Sequence, residues 1–258
     1  MSTSVSNNLP NHIDLTAKGV AVYVGRMEPH DCLWFASTDA NLWAAILPLL
    51  HNVALTFSLA QRSRVLSGTV PYYQEDLASV DLYAVPAEAS GLSRASFTQN
   101  AVDERTLRTD LGVKLNTPAL SRRVTLAPSA TAASDDAPGF AVAVFSRNGA
   151  IPPRRTRLGK KGAAVRWYWQ PVEDAKATRP TEPWTPDHPV NPLDLLSQPS
   201  LYEPVAMPPH LLYRRATISG DYRVLAHWNG RPHQIHVPVR VLRWMSLNVA
   251  PIAYRDDS

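Results

Sequence analysis

The stretch GFAVAVFSRNGAIPPRRTRLGKKGAAVRWYWQ, residues 139–170, contains the two clearest strand signals of the chain. Valine and aromatic residues predict strands at residues 139–146 and 164–170. Two adjacent prolines and three glycines lie between them, so much of the intervening segment cannot be a regular helix. We therefore expect two strands joined by a stiff loop.

The joining loop is strongly basic. Residues 147–166 contain seven of the 26 Lys and Arg residues and no acidic residue, although the whole chain has a net charge of only +4. A basic loop beside an aromatic strand suits a phosphate backbone, which makes nucleic acid the first partner to consider. On a strand, Trp167 and Trp169 would share one face and Tyr168 the other, so only the exposed side can stack on a base. The alternative is a solvated surface, because most charged runs are no more than that.

Composition sets the broad class of the protein. With 258 residues, 45% hydrophobic and 19% charged, the chain is expected to form one large domain, or one domain with an extension, around a sizeable core. Cys32 is the only cysteine, which excludes an internal disulfide and a cysteine-based metal cluster. No secretion signal and no apolar run of membrane-spanning length is visible, so we expect a cytoplasmic protein without a membrane partner.

Strand and helix signals alternate along the rest of the chain. They predict strands at 18–25 and 79–86, helices at 39–47 and 52–62, and late strands within 211–242 joined by turns at 220–221 and 229–231. Residues 88–137 have mixed character and end in an alanine-rich loop at 126–138. This order of elements predicts an α+β fold with an antiparallel sheet.

Two segments are expected to lack regular structure. The polar residues 1–16 are predicted to be flexible. Residues 171–209 contain ten of the 23 prolines and cannot be helix or central strand for much of their length. Their apolar residues, among them Trp184, Leu195 and Tyr202, favour a segment that wraps the body of the protein over a free linker.

Sequence motifs for chemistry are sparse. The P-loop, the dinucleotide-binding glycine motif, the G-x-S-x-G elbow and H-E-x-x-H are absent, and we expect no cofactor. The best metal candidates are Asp221, His227, His233 and His236. The last two lie three residues apart in a predicted strand, which points them to opposite faces and favours a polar strand end over a metal site. His51 with Asn52 could cap a helix or read an RNA base edge.

A series of short motifs resembles a known family. In chain order they are HDCLWFAS (30–37), LHNVALTFSL (50–59), PYY (71–73), LYAVPA (82–87), TRLGKK (156–161), HPVNPLDL (188–195) and MPP (207–209). The chain resembles the subunit of the type I-D CRISPR Cascade complex that caps the 5′ handle of the CRISPR RNA, a member of the RAMP superfamily. The resemblance covers residues 20–225.

The resemblance implies a fold and a set of partners. The implied fold is a RAMP fold, a ferredoxin-like and RRM-related antiparallel sheet with a long inserted thumb at about 88–137 and a proline-rich C-terminal extension. Residues 17–170 would form the core with the thumb, and residues 171–258 the proline-rich wrap and late strands packed on it. Such subunits hold the CRISPR RNA 5′ handle, bind the backbone and large subunits, and meet target DNA through the assembled complex. No chemistry is implied.

These inferences together predict a non-catalytic RNA-binding subunit. The residues expected to hold RNA phosphates, directly or through backbone amides, are Arg154, Arg155, Arg157, Gly159, Lys160 and Lys161. On the inserted arm, Arg122, Arg123 and Lys114 would contact RNA or the backbone subunit. Base-edge or stacking contacts are expected from His51, Asn52, Tyr72 and Tyr73. Exposed apolar residues such as Trp184 would contact other subunits.

Two other functions remain open at this point. The first is a metal-independent endoribonuclease that processes CRISPR repeat RNA on the same fold, with His51 or His30 as the general base. The second is a protein-interaction module with a basic face and no RNA affinity of its own. Cleavage of repeat RNA without metal would favour the first, and salt-insensitive binding to neighbouring subunits the second.

Overall fold

The computed structural model describes residues 9–30, 32–35, 38–40, 43–60, 73–101, 119–128, 138–159 and 162–251. The strands are β1 (His12–Asp14), β2 (Val20–Pro29), β3 (Thr38–Ala40), β4 (Trp43–Ala45), β5 (Leu49–Leu50), β6 (Leu82–Ala84), β7 (Ala87–Ser90), β8 (Leu92–Ala101), β9 (Ala119–Pro128), β10 (Gly139–Arg147), β11 (Arg155–Leu158), β12 (Ala163–Pro171), β13 (Lys176–Thr178), β14 (Leu201–Val205), β15 (Leu212–Thr217), β16 (Arg223–Trp228) and β17 (Arg231–His236). The helices are α1 (Asn52–Ala60), α2 (Tyr73–Ala78) and α3 (Val239–Trp244), with a 3-10 turn at Pro192–Asp194. The predicted α+β class with a mainly antiparallel sheet is confirmed.

The largest sheet contains seven strands. Its order is β11-β12-β2-β10-β7-β5, and β6 also pairs with β10. Because β2 and β6 both run antiparallel to β10, they are parallel to each other, and α1 lies between them in the chain. This is a β-α-β unit with a third strand inserted between its two parallel strands, as in ferredoxin-like folds. The arrangement is compatible with the expected RAMP-like core.

One face of this main sheet is covered by α1. The helix buries Leu55 and Leu59 against Phe140, Val144 and Trp167 of the sheet. Almost every residue of β10 is buried, on both faces, which is why its sequence is a nearly continuous apolar run. The strands predicted at 139–146 and 164–170 and the helix predicted from residue 52 are confirmed.

The opposite face of the main sheet is covered by a second, four-stranded sheet and by α3. The second sheet has the order β1-β13-β16-β17. Its Val224 and the α3 residue Leu242 lie in one buried cluster with Ala143 and Phe145 of the main sheet. Both faces of the central strands are therefore largely covered, although Ala141 of β10 stays exposed on the face of the second sheet.

The late strands follow the sequence prediction. β15, β16 and β17 fall within residues 211–242, and the turn between β16 and β17 is at Asn229 and Gly230, both with positive φ. Asn-Gly is the preferred pair for such a turn because both residues tolerate that backbone region. The short helix α3 was not predicted, since it follows Pro238 without a capping side chain.

The N-terminal prediction is wrong for residues 9–16. β1 pairs with β13, and Ile13 and Leu15 are buried in the cluster between the two sheets. These two apolar residues were not recognised as core residues because polar residues flank them and a strand of three residues has almost no periodic pattern. Residues 1–8 lie outside the described part of the chain.

The proline-rich segment lies against the body of the protein. Trp184 and Val190 form isolated bridges to Ile218 and Tyr213, and both join a buried cluster with Leu195. The prediction that Trp184 is an exposed contact for another subunit is wrong, because this side chain is 7% exposed. Its burial follows from the backbone pairing, which turns the indole inward.

The helix predicted at 39–47 is wrong. Residues in this range form β3 and β4, and β4 pairs in parallel with β9 at Trp43 and Ala44. The two strands also pair antiparallel with each other, and this pairing together with the contact to β9 overrides the local helix signal. Part of the loop predicted at 126–138 also belongs to β9, where Leu126 is buried and pairs with Leu33.

Within the inserted segment, β8 and β9 form a long antiparallel pair. Its register runs from Leu92 opposite Pro128 to Ala101 opposite Ala119. Residues 102–118 and 129–137 lie outside the described part of the chain, and the thumb boundaries stay a prediction. None of the described helices has the length and apolar character needed to cross a membrane.

Candidate nucleic-acid interface

The basic loop ends in a hairpin at the edge of the main sheet. β11 pairs antiparallel with β12, with Arg155 opposite Arg166 and Arg157 opposite Ala164. Directly opposed residues in a pair of strands project from the same face. Arg155, Arg157 and Arg166 therefore lie on one face of the hairpin, the face turned away from α1.

The other face of the hairpin is anchored to the core. The Thr156 hydroxyl accepts a hydrogen bond from Nε1 of Trp167 at 2.8 Å and lies 2.7 Å from the hydroxyl of Ser58 on α1. Leu158 is buried beside them. The alternation of the sequence Arg-Thr-Arg-Leu thus places basic groups outward and anchoring groups inward, which orients both arginines.

Two stacked tryptophans fix the loop that leads into the hairpin. The rings of Trp167 and Trp169 are 5.1 Å apart and nearly parallel, at 10°. Nε1 of Trp169 donates to the carbonyl of Pro153 at 2.9 Å. The predicted division of faces is confirmed, since these two residues share the inner face and Tyr168 takes the outer one, 41% exposed.

Tyr168 continues the row of arginines on the outer face. It lies opposite Arg26 of β2, whose guanidinium carbon is 5.2 Å from the centroid of the phenol ring. Arg26 also forms an ion pair with Glu28, so its charge is locally compensated. We call Arg155, Arg157, Arg166 and Tyr168 the arginine face.

The structure places the predicted phosphate-binding residues unevenly. Arg154, Arg155 and Arg157 are exposed, as phosphate contacts must be. Gly159 has a φ of +79°, and a Cβ there would lie 2.4 Å from the carbonyl oxygen of Trp34. The close approach that Gly159 permits is therefore made by the protein's own backbone, and its predicted contact with RNA stays a prediction.

Several predicted site residues lie outside what the structure describes. Lys114, Lys160, Lys161 and Tyr72 fall in the undescribed segments. Arg122 and Arg123 belong to β9 and Tyr73 begins α2, but only their backbone is described. Their predicted RNA contacts stay predictions.

The predicted base contacts of His51 and Asn52 conflict with their positions. They are 2% and 0% exposed, at the start of α1. Nδ1 of His51 accepts a hydrogen bond from the backbone N–H of Val53 at 3.2 Å, which is a capping contact. Burial lowers the pKa of His51 to about 3, so the ring is neutral. RNA cannot reach either side chain in this fold, and the helix-cap alternative fits His51.

Asn52 belongs to a buried polar network that joins the core to the proline-rich segment. Its Nδ2 donates to Oη of Tyr83 at 2.8 Å and to Oδ2 of Asp194 at 3.1 Å, and its Oδ1 accepts from Nδ2 of Asn191 at 3.1 Å. The Tyr83 hydroxyl donates to Asp194, 2.8 Å from Oδ2. Desolvation raises the pKa of Asp194 to about 6 despite these bonds.

The predicted metal candidates do not converge. Nε2 of His236 lies 3.0 Å from Oδ1 of Asp221, and both residues are buried, whereas His227 is exposed. Asp221 also accepts from the backbone N–H of Leu196, so the pair ties the proline-rich segment to β17. No group of metal-binding side chains occurs among the described residues.

Sequence reasoning missed Arg166 of the arginine face and the packing of Tyr168 on Arg26. Arg166 lies in the basic stretch 147–166, but it was not predicted to bind RNA because it belongs to the following strand, β12, and not to the loop. Arg26 and Tyr168 required the register between β2 and β12, which a single sequence does not specify. The signal for Tyr168 was present in the alternation of Trp-Tyr-Trp, which already assigned it to the face opposite the tryptophans.

A family comparison agrees with the fold and the motifs. The family described as type I-D CRISPR-associated protein Cas5/Csc1 matches residues 20–243, most of the chain. No curated protein matches the chain. The chain therefore belongs to the type I-D Cas5/Csc1 family.

Proposed function

We propose that this type I-D CRISPR-associated subunit is a non-catalytic RNA-binding component of a Cascade complex. It binds the 5′ handle of the CRISPR RNA on its arginine face and bridges the backbone and large subunits during DNA target surveillance. Target DNA is met through the assembled complex.

The observation that carries the proposal is the arginine face. Arg155 and Arg157 are two residues apart on one strand, which separates them by about 6.8 Å along it. This spacing is of the same order as that between successive phosphates of an extended single strand. Arg166 adds a third guanidinium opposite Arg155, with Glu28 of β2 on its other side, and the stretch 147–166 itself contributes seven basic residues and no acidic one.

The position of this face at the sheet edge also has a physical reason. In RRM domains, RNA bases stack on an open sheet face. Here the central strands are largely covered on both faces by α1 and by the second sheet, and among the described residues the edge hairpin offers an exposed aromatic side chain, Tyr168. An aromatic ring among arginines is a typical surface for single-stranded RNA.

Exposed apolar side chains support the bridging role. Ile151, Leu201 and Leu225 are 77%, 68% and 52% exposed. Ile151 precedes Pro152 in the basic loop, whereas Leu201 is on β14 and Leu225 on β16. Large apolar groups at separate places on a surface suit contacts with more than one neighbour.

The burial of His51 supports the non-catalytic assignment. A general base must come within hydrogen-bond reach of its substrate, and the His51 ring is enclosed at the start of α1. His30 is exposed and is the better test of the endoribonuclease alternative. Metal-free cleavage of repeat RNA by the purified chain, abolished by His30→Ala, would overturn the assignment.

Co-purification from cells tests the RNA-binding proposal. A tagged chain is expressed with its neighbouring CRISPR genes and array, and the bound RNA is sequenced. We expect RNA of discrete guide length from the unchanged chain and a large loss from Arg155→Gln/Arg157→Gln. Arg215→Gln/Arg243→Gln is the matched control, because these arginines are also exposed but lie on β15 and α3. Equal RNA recovery from both double variants would refute the assignment of the arginine face.

A further inference from the structure

A groove opens between the main sheet and the β16–β17 hairpin. Its floor contains Val24 of β2 with Ala141 and Ala143 of β10, and its opposite wall contains Trp228 and His233. The groove encloses about 360 Å³, including the open solvent at its mouth.

The wall of the groove is aromatic because of the hairpin register. Trp228 pairs with Arg231 and His233 pairs with Ala226, and the buried residues Val224 and Ala226 share the inner face of β16 with Trp228. The rings of Trp228 and His233 are 6.0 Å apart and tilted by 50°. The side chains of Trp228 and His233 are half-buried, so part of each ring is accessible from the groove.

The groove continues directly into the arginine face. Val24 and Arg26 are two residues apart on β2 and share one sheet face, and Arg26 is opposite both Ala141 and Tyr168. The floor of the groove and the arginine face are thus neighbouring parts of the same surface of the main sheet. An RNA strand on the arginine face has its bases within reach of the groove.

Polar groups at the groove favour a particular kind of base. Asp187 is exposed, lines the groove and accepts the backbone N–H of Gln234 through Oδ2 at 2.8 Å. Its carboxylate keeps further acceptor capacity, which suits an exocyclic amino group. Adenine, cytosine and guanine carry such a group, whereas uracil does not.

We propose that this groove is a subsite for one nucleobase of the RNA bound on the arginine face, with Trp228 and His233 as its stacking wall. The inference rests on the proposed RNA-binding function. It adds that one base is turned out of the strand and that an amino-bearing base is preferred there.

The test uses the purified full-length chain and a series of handle RNAs, each with one abasic position. For the unchanged chain we expect one position at which base removal weakens binding by roughly 5- to 100-fold, the usual range for one stacked base. Trp228→Ala and His233→Ala should weaken binding of the intact RNA and lose most of that positional effect. Replacing the base at this position by uracil should weaken binding of the unchanged chain.

Leu225→Ala is the matched control, because Leu225 lies on the outer face of the same strand and is 52% exposed. Circular dichroism and thermal unfolding confirm that each variant is folded, and Trp228→Phe, which keeps an aromatic ring, should retain most of the affinity. If the unchanged chain binds with strong salt dependence but shows no sensitive position, the groove is not a base site while RNA binding stands. If it binds no RNA at all, the proposed function itself fails.

Discussion

Substitution of Asn52 tests whether this residue stabilises the fold or contacts RNA. The side chain makes three hydrogen bonds to buried partners, namely Tyr83, Asp194 and Asn191. Asn52→Ala leaves the buried amide of Asn191 without this acceptor and removes one donor from the Asp194 carboxylate. Each such buried loss costs about 1–3 kcal/mol, so we expect the variant to lose about 3–5 kcal/mol of unfolding free energy.

Thermal unfolding provides the assay. For a chain of this size, 1 kcal/mol corresponds to about 2–4 °C in Tm, so the expected decrease is about 6–20 °C. RNA binding is measured well below both melting temperatures, where we expect the affinity of Asn52→Ala to stay within about twofold of that of the unchanged chain. Asn11→Ala is the control, because Asn11 is an exposed asparagine outside the network.

One result would refute the reasoning from burial. If Asn52→Ala unfolds at the temperature of the unchanged chain but loses RNA affinity, Asn52 is a base contact and this region must open when RNA binds. The sequence-based hypothesis would then be correct and the structural account of the buried network wrong.

Three further outcomes are expected. Because the pKa of Asp194 is raised from 3.8 to about 6 when folded, this carboxyl contributes stability at low pH that is lost as the pH rises through about 6. Denaturant titrations should show the stability of the unchanged chain relative to Asp194→Asn falling by about 2 kcal/mol between pH 4 and pH 7. Gly25→Ala should destabilise the fold, because its Cβ would lie 1.9 Å from the carbonyl oxygen of Tyr168. Gly149→Ala is the control, because its Cβ would meet no atom within 4 Å and only the positive φ opposes the substitution. The Tm of Gly25→Ala should be the lower of the two. Arg155→Gln/Arg157→Gln should lower the slope of log affinity against log salt by about 1.4 in a binding titration with single-stranded RNA, and an unchanged slope would show that these arginines do not meet phosphates.

Local sequence patterns predicted the central elements because each carried its own signal. The strand at 139–146 is a continuous apolar run, and the turn at Asn229–Gly230 follows from residues that tolerate positive φ. The three-residue strand His12–Asp14 was not predicted, because it pairs with residues more than 160 positions away. The strand at Trp43–Ala45 was not predicted either, and it pairs both with the adjacent strand Thr38–Ala40 and with β9, 79 positions away. Contacts at that separation leave no trace in a short window of sequence.

For the candidate site as well, the features visible in local sequence were predicted and those that depend on strand pairing were not. The basic character of the loop was visible in composition, and Arg155 and Arg157 were chosen correctly as exposed residues. The contributions of Arg166 and Tyr168 depend on the register of β12 against its neighbours, which only the folded sheet supplies. His51 and Asn52 were chosen for chemistry that suits RNA, but a polar side chain at a helix start serves the chain's own backbone equally well.

The buried network explains why motifs far apart in the chain belong together. Asn52 lies in the motif at 50–59, Tyr83 in the motif at 82–87, and Asn191 and Asp194 in the motif at 188–195. These residues are hydrogen-bonded to one another beside α1 and β6. Three of the stretches that carry the family resemblance are thus constrained by one requirement, the attachment of the proline-rich segment to the core. The arginine face is at the far edge of the sheet and shares none of these contacts, so RNA binding and this attachment can be tested by separate substitutions.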